Sequence, residues 1–191
     1  MSITQTFYDN LASQYDKLFL DWQATTQEQA IILDRIFATN GFDKTANVLD
    51  CACGIGTQAI GLAAIGYNVT GSDISDGEIA EAKERAAKNN VSVHFEHADF
   101  CALSNTFAEQ FDIVIAMDNA LPHMLTGNDL ESAIKSIVNQ IKYGGMFVAS
   151  IRDYDALLMD KPPYSPPYIH KTAKDREYLS RLGNGMVITT D

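Results

Sequence analysis

One stretch in the first third of the chain, residues 48–57 with the sequence VLDCACGIGT, constrains the fold more than any other. Its apolar, β-branched start predicts a short buried strand over 47–50, followed by a glycine loop and a helix over about 57–64. Gly54 and Gly56 lack Cβ atoms, so the loop can turn sharply and approach a ligand closely. The first N–H groups of the helix would point into the same loop. The stretch therefore predicts a ligand site at the end of a strand.

The ligand is indicated by the acid that precedes the loop. The spacing Gly54-x-Gly56-x-x-Ala59 fits a relaxed dinucleotide-binding pattern, which would suit an NAD-dependent oxidoreductase or a non-catalytic nucleotide-binding protein. Asp50, four residues before the first glycine, would face and repel a pyrophosphate. The same carboxylate suits a cation such as the α-ammonium group of S-adenosylmethionine (SAM). The alternative is that Asp50 only caps the amides of the loop.

Residues 50–57, Asp-Cys-Ala-Cys-Gly-Ile-Gly-Thr, resemble the first motif of the class I SAM-dependent methyltransferases. The Ala-Cys-Gly-x-Gly form is similar to that of the glycine and sarcosine N-methyltransferases. The resemblance implies SAM as cofactor, S-adenosylhomocysteine (SAH) as product, and transfer of a methyl group to the amine of a small molecule, such as a glycine- or sarcosine-type amino acid. A methyltransferase for another small acceptor is the alternative within this class.

Composition narrows the choice of partner and compartment. The chain has 191 residues, which suits one domain, and its net charge of −11 argues against binding nucleic acid. The three cysteines are too few and too closely placed for a disulfide framework, and no metal site is predicted. Neither a signal peptide nor an apolar run of the ~18 residues that span a bilayer is present. We therefore expect a cytoplasmic protein without a membrane partner; the oligomeric state is not predicted.

Strands and helices alternate along most of the chain. Apolar runs predict further strands over 67–73, 91–97, 111–117 and 146–151, and amphipathic patterns predict helices over 7–22, 26–39, 76–88 and 126–141. Continuous rather than alternating apolar residues suit a parallel sheet that is covered on both faces. We predict a Rossmann-like, doubly wound α/β fold. Residues 1–40 would form a helical lid, 41–155 the SAM-binding core, and 156–191 a substrate-side loop with the start of a small antiparallel insert.

Two acids at predicted strand ends are candidates for binding adenosine. Asp73 ends the second strand, where an acid can accept both ribose hydroxyls; the alternative is an ordinary surface aspartate. Asp99 and Phe100 follow the third strand, where the family contacts adenine, although both could be ordinary loop and core residues. The resemblance implies a wider set of cofactor contacts: Tyr15, Trp22, Asp50, Ala52, Gly54, Gly56, Asp73, Ile74, Asp99, Phe100, Met117 and His123.

The N-terminal aromatic residues recur at helical spacing. In the family, aromatic residues of this segment close over the methionine part of SAM, which makes Tyr15 and Trp22 the candidates here. The alternative is that both are core residues. Ser75 and Glu78 are spaced as a capping box, in which each side chain would cap the other residue's backbone N–H.

Three residues are candidates for positioning the substrate. Asn119 follows the fourth strand where the family has an asparagine, and Arg152 follows the fifth strand, where the family's arginine grips a carboxylate. A salt bridge from Arg152 to a nearby acid is the alternative. Tyr168 ends a proline-rich loop that would carry it over the site.

The C-terminal segment predicts two short strands, within 177–190, around the hairpin signal of Gly183 and Gly185. Family members continue with two more sheet strands, so the C-terminal strands of the sheet are expected to be missing from this chain. A sheet without them would have an exposed edge.

Overall fold

The structure alternates helices and strands in the predicted way. It is a computed structural model that describes residues 3–160, 168–171, 177–180 and 187–188. The helices are α1 (Ile3–Leu11), α2 (Trp22–Thr39), α3 (Thr57–Ala64), α4 (Asp76–Lys88), α5 (Gly127–Asn139) and α6 (Tyr154–Asp160). The strands are β1 (Asn47–Asp50), β2 (Asn68–Asp73), β3 (His94–His97), β4 (Phe111–Ala116), β5 (Ile141–Ile151), β6 (Tyr168–Lys171), β7 (Glu177–Ser180) and β8 (Val187–Ile188).

The main sheet has the strand order β3-β2-β1-β4-β5-β8. The first five strands are parallel, and β8 pairs antiparallel with the end of β5. The chain runs outward from β1 through β2 to β3, then returns to place β4 on the other side of β1. The strand order thus reverses at β1, and ligands bind beside the carboxyl ends of strands at such a point. The predicted Rossmann-like, mainly parallel fold is confirmed.

The central strands are buried on both faces. Neighbouring residues Val48 and Leu49 of β1 belong to different apolar clusters, one on each face of the sheet. The first cluster packs β1, β2 and β4 against α2, α3 and α4, with Leu33 and Phe37 of α2 fully buried. The second contains Ile137 of α5 and the segment around Leu103. Continuous apolar runs therefore correspond to a sheet covered on both sides.

The N-terminal segment differs from the predicted helix over 7–22. α1 ends at Leu11, and residues 12–18 form a 3-10 helix before the chain becomes extended at Phe19. The second helix begins at Trp22 rather than at 26, because the Asp21 carboxylate accepts a hydrogen bond from the N–H of Ala24 and caps it there. Aromatic spacing alone did not reveal this break.

The C-terminal strands pair differently from the predicted hairpin. β7 pairs antiparallel with β6, whereas β8 joins β5 at the edge of the main sheet. Gly183 and Gly185, which carried the hairpin signal, lie outside the described residues. β5 also begins earlier than predicted, at Ile141, and the register of β4 against β5 shifts between Phe111 and Ile113.

Candidate functional site

A cavity of about 360 Å³ lies at the carboxyl ends of β1, β2 and β4. It is within the range of about 300–1,000 Å³ that small-molecule sites occupy. Twenty residues surround it: Tyr8, Tyr15, Ala52, Cys53, Gly54, Ile55, Thr57, Gln58, Asp73, Ile74, Glu78, Asp99, Phe100, Cys101, Met117, Asp118, Ala120, His123, Met124 and Asp129. Its walls mix aromatic and sulfur-containing side chains with five carboxyl groups. Among these described residues there is no lysine or arginine.

The glycine loop forms one wall of the cavity. Gly54 has a φ of +52° and Gly56 a φ of +87°, a left-handed region in which side chains other than glycine are strained. Gly56 is the N-cap of α3, and a Cβ there would lie only 2.9 Å from the Cδ1 atom of Ile60. Gly54 reaches the cavity, but Gly56 does not. The second glycine thus shapes the start of α3, and the first exposes backbone to a ligand.

Asp73 connects the end of β2 to this loop. One carboxylate oxygen, Oδ2, accepts a hydrogen bond from Gly54 N–H at 2.9 Å, and Oδ1 accepts from Ser75 N–H at 3.0 Å. Burial raises the pKa of the Asp73 carboxyl, and these N–H groups act against the rise. The side chain lines the cavity with lone pairs still free on each oxygen. It can therefore accept hydrogen bonds from a ligand's hydroxyl groups.

The segment after β3 forms another side of the cavity. Asp99 and Phe100 both line it, together with Ile74 from the end of β2. Asp99 Oδ1 accepts a hydrogen bond from Cys101 N–H at 2.8 Å, and this bond fixes the turn. Phe100 packs partly against the second apolar cluster. A flat apolar group between these side chains would have a carboxylate at its edge.

Aromatic residues of the N-terminal segment lie over the cavity. Tyr8 and Tyr15 both line it, with ring centroids 6.3 Å apart. The hydroxyl of Tyr8 is 2.9 Å from Nε2 of His123, which joins α1 to the loop after β4. Burial raises the pKa of Tyr8 to about 12, with Glu78 and Asp73 adding to the effect.

Trp22 lies outside the cavity. Its Nε1–H donates a hydrogen bond to the hydroxyl of Thr57 at 2.9 Å, and the Arg85 guanidinium lies 4.8 Å from its ring. Trp22 thus connects the first residues of α2 and α3.

Asp50 lies beneath the cavity rather than in its wall. The residue is fully buried, and both carboxylate oxygens lack a hydrogen-bond partner among the described residues. Burial raises its pKa well above the ordinary value, and the charge of Asp118 adds to this. The backbone N–H groups of Ala52 and Ala59 lie close enough to Asp50 to act against this rise in its pKa, although neither meets the geometry of a hydrogen bond. Ala52, directly above it in the loop, does line the cavity.

A polar network closes the cavity at the end of β4. Gln58 Nε2 donates a hydrogen bond to Asp118 Oδ2 at 2.8 Å and another to Gln29 Oε1. Asp118 lines the cavity and is exposed there; desolvation by the surrounding protein still raises its pKa, while the hydrogen bond from Gln58 acts to lower it. Asp118 has a positive φ of 52°, and the next residue, Asn119, has a positive φ of 71°. Two left-handed residues in succession are a strained arrangement of the kind found at functional sites.

The three residues predicted to position substrate are not together in this cavity. Asn119 Nδ2 donates to the hydroxyl of Tyr154 at 2.8 Å, and its Oδ1 accepts from the N–H of Arg152 at 3.1 Å. Asn119 therefore fastens the loop after β4 to the end of β5. Arg152 is half-buried but does not line the cavity. Tyr168 starts β6, and its side chain is outside the described residues.

Nine of the predicted site residues meet in the cavity: Tyr15, Ala52, Gly54, Asp73, Ile74, Asp99, Phe100, Met117 and His123. The sequence analysis missed Gln58, Asp118 and Glu78. Glu78 was predicted to return to the backbone N–H of Ser75 in a capping box, but only half of the box forms. The Ser75 hydroxyl accepts from Glu78 N–H, whereas the Glu78 side chain lines the cavity. The signal that the sequence offers for Glu78 is an acid in the first turn of the helix that follows Asp73.

Two negative findings concern the described residues. No helix in the part of the chain that the structure describes is long and apolar enough to cross a membrane. Within the same residues, no three His, Cys, Asp or Glu side chains are grouped so that they could hold a metal ion.

Fold and cavity together define a Rossmann-like domain of the methyltransferase class. Residues 48–145 match the family model described as a methyltransferase domain, so the chain belongs to that family. The match covers half of the chain and extends from β1 into β5.

Two curated relatives are glycine/sarcosine N-methyltransferases. The one from Parasynechococcus marenigrum (strain WH8102) is 27% identical over 154 residues, covering 81% of this chain and 53% of the relative. The one from Aphanothece halophytica is 24% identical and covers 80% of this chain and 56% of the relative. The chain thus spans about half the length of both relatives.

A solved SAM-dependent methyltransferase from Clostridium acetobutylicum ATCC 824 shares the fold. Its TM-score is 0.66 at 22% identity, covering 87% of this chain and 65% of the other.

Proposed function

We propose that this chain forms the cofactor-binding core of a SAM-dependent methyltransferase that methylates the amine of a small molecule. The observation that carries the proposal is the cavity where the glycine loop, Asp73 and the Asp99–Phe100 pair meet at the reversal of strand order. Membership of the methyltransferase family supports SAM and disfavours an NAD-dependent oxidoreductase.

The side chains around the cavity fit SAM better than a dinucleotide. The carboxyl groups of Asp73, Glu78, Asp99, Asp118 and Asp129 line it, without lysine or arginine among the described lining residues. The ionised carboxylates of such a wall would repel a pyrophosphate, whereas they favour the positive charge of a sulfonium. Coulomb attraction is strengthened where protein excludes water.

Each end of the cofactor has candidate partners. Asp73 would accept ribose hydroxyls, and Asp99 with Phe100 would hold the adenine ring by an acceptor at its edge and an apolar face. Tyr15 and the loop at Ala52 and Gly54 would enclose the methionine portion. Asp50 would act from beneath the loop, through its negative charge on the ammonium group or by fixing the loop amides.

Bound SAM would supply an electrophilic methyl group, which an amine nitrogen attacks in line with the departing sulfur. The chain's own contribution would be alignment and exclusion of water. Gln58 and Asp118 lie at the end of β4, where an acceptor amine could hydrogen-bond. Tyr8 and Tyr15 would cover the cavity and exclude water from the reacting groups.

The names of the curated relatives support a glycine- or sarcosine-type acceptor. Under this proposal Arg152 would hold the acceptor's carboxylate, with Asn119 and Tyr168 positioning its amine. A guanidinium matches a carboxylate in a bidentate way. Arg152 follows directly after β5, at the edge of the sheet where the cavity lies.

A second candidate is an amine without a carboxylate. It is favoured by the position of Asp118, whose carboxyl group lines the cavity while Arg152 does not. A carboxylate-bearing acceptor beside Asp118 would meet like charge, whereas a plain amine would find a hydrogen-bond acceptor.

The proposal is tested by a turnover assay with mass-spectrometric detection of methylated product. SAM is offered with glycine, sarcosine, dimethylglycine and a simple amine that lacks a carboxylate. Methylation of glycine and sarcosine alone supports the first acceptor class, and methylation of the plain amine alone supports the second. Binding of SAM without turnover of any acceptor would leave the cofactor assignment and reject both acceptor classes.

Arg152→Lys separates the acceptor from the cofactor, with Arg35→Lys as its matched control on the exposed surface of α2. If Arg152 holds a carboxylate, its variant should raise the acceptor KM about tenfold or more and leave SAM affinity unchanged. Equal loss of both affinities, or no change in KM, would refute the anchoring role.

A further inference from the structure

Glu78 is a buried acid whose side chain has no structural task that the fold explains. It lies in the first turn of α4, is 2% exposed, and lines the cavity. The backbone N–H that a capping box would assign to it, that of Ser75, donates instead to Asp73 Oδ1. The carboxyl group of Glu78 is therefore free for a ligand.

The oxygens of Glu78 confirm that a partner is missing. Oε1 is buried and has no hydrogen-bond partner among the described residues. Oε2 lies at the glycine loop, 3.2 Å from where a Cβ on Gly54 would be. Buried polar atoms are nearly always hydrogen-bonded in folded proteins, so an unpartnered one that faces a cavity indicates a site for a ligand atom.

Among the described residues, the charged groups that shift the pKa of Glu78 are both acidic. Asp73 from β2 and Asp9 from α1 raise its pKa, after the larger effect of burial, to about 8. Tyr8 of α1, Tyr15 of the 3-10 segment and Cys53 of the loop also face it; burial raises the pKa of each, and the Glu78 carboxyl group adds a smaller effect. The carboxyl group is thus protonated at neutral pH and can both donate and accept a hydrogen bond.

The neighbour on the same wall is Asp73, which already accepts one backbone N–H on each oxygen. Both acids lie against Gly54, since Asp73 bonds its N–H and Glu78 packs at its Cα. A ribose presents two adjacent hydroxyl groups, so one bound here would meet both acids. We propose that Glu78 is a second ribose-binding residue, which hydrogen-bonds one hydroxyl of the cofactor's ribose while Asp73 binds the other. This inference rests on the proposed function.

Binding would also depend on pH. A ligand that covers Glu78 removes the remaining water from it and disfavours its charged form further. The protonated form therefore binds better, and SAH affinity should fall above the pKa of about 8, by up to about tenfold per pH unit.

The contact is tested by combining variants with altered ligands. Isothermal titration of the full chain measures the affinity of SAH and of its 2′-deoxy and 3′-deoxy analogues, for the unaltered protein and for Glu78→Ala. If Glu78 binds a hydroxyl, the analogue without that hydroxyl should bind the unaltered protein about tenfold more weakly than SAH does. For Glu78→Ala the two affinities should differ by less than about threefold, because the variant has already lost the contact. Glu84→Ala, on the exposed face of α4, is the matched control and should behave like the unaltered protein.

Glu78→Gln keeps the shape of the side chain but cannot ionise, so it provides a second readout if the alanine variant fails to fold. Its SAH affinity relative to that of the unaltered chain should increase between about pH 7 and about pH 9. Equal losses for each deoxy analogue in both proteins, or a constant ratio across this pH range, would overturn the role of Glu78. Failure of the unaltered chain to bind SAH at all would instead overturn the proposed function, and this inference with it.

Discussion

Replacing Glu78 with glutamine should stabilise the ligand-free protein in a pH-dependent way. Burial and neighbouring acids raise the pKa of Glu78 from 4.5 to about 8. Between these values the folded state keeps a proton that the unfolded state releases. The unfolded state therefore binds fewer protons, and stability falls as pH rises, by up to about 1.4 kcal/mol per pH unit. Over the ~3.5-unit difference between the two pKa values, the loss of folding stability reaches at most ~4–5 kcal/mol above pH 8.

Glutamine has a similar shape and no charge, so it should remove this penalty. We expect the variant to gain about 2–4 kcal/mol at pH 8 and almost nothing near pH 4, where the acid is protonated in both the folded and the unfolded state. Urea unfolding at several pH values measures the difference, with the fluorescence of Trp22, the one tryptophan of the sequence, as the probe.

Glu84→Gln is the control for this experiment, because Glu84 is exposed and forms an ion pair with Lys88. Neutralising it should change stability little at any pH, because solvent screens an exposed ion pair. Identical pH dependence in the Glu78 variant and the unaltered chain would show that Glu78 is not a buried protonated acid, and would refute the reasoning.

The other predictions concern the loop, the cofactor and the acceptor. Gly56→Ala should lower the free energy of unfolding by about 2–4 kcal/mol, and Gly41→Ala by about 1 kcal/mol. Both glycines have a positive φ, but only a Cβ at Gly56 would also clash with its surroundings. Urea unfolding compares the two variants, and equal losses of stability would contradict the steric argument. Asp73→Asn should weaken SAH binding by about tenfold or more in calorimetric titration; an unchanged SAH affinity would show that Asp73 does not bind the cofactor. Asp118→Asn should raise the KM of a plain amine about tenfold and leave unchanged the affinity of SAH, which lacks the sulfonium charge; an unaffected KM would reject the second acceptor class.

Much of the fold and part of the site were predictable from local patterns. The strand, glycine loop and helix over residues 47–64 are local, so periodicity and glycine spacing suffice to find them. Asp73 was identifiable because parallel strands place their carboxyl ends at one edge of the sheet. Asp99 and Phe100 were predicted from the resemblance to the family's adenine contact, and both line the cavity.

The remaining site residues depend on how distant segments pack. Asp50 follows the first strand as predicted. Whether its side chain reaches the cavity depends on how the glycine loop covers it, and in the structure Asp50 is buried and does not line the cavity. Glu78 has a pattern typical of a capping box, and only the hydrogen bond from Ser75 N–H to Asp73 frees its side chain. Gln58 has no local signal, because its partners Gln29 and Asp118 are far away in sequence.

The partner of β8 likewise depended on a distant segment. The hairpin signal favoured pairing of β7 with β8, whereas β7 pairs with the preceding strand β6 and β8 pairs with the edge of β5. Edge strands attract any segment that can satisfy their unpaired N–H and C=O groups, so turn residues alone do not determine the partner.

The central claim is that the cavity binds SAM through an acidic wall that rejects dinucleotides. The most direct measurement is calorimetric titration of the full chain with SAH and, separately, with NAD⁺. The account predicts saturable binding of one SAH per chain and no binding of NAD⁺. Binding of NAD⁺ in preference to SAH, or of neither, would contradict it.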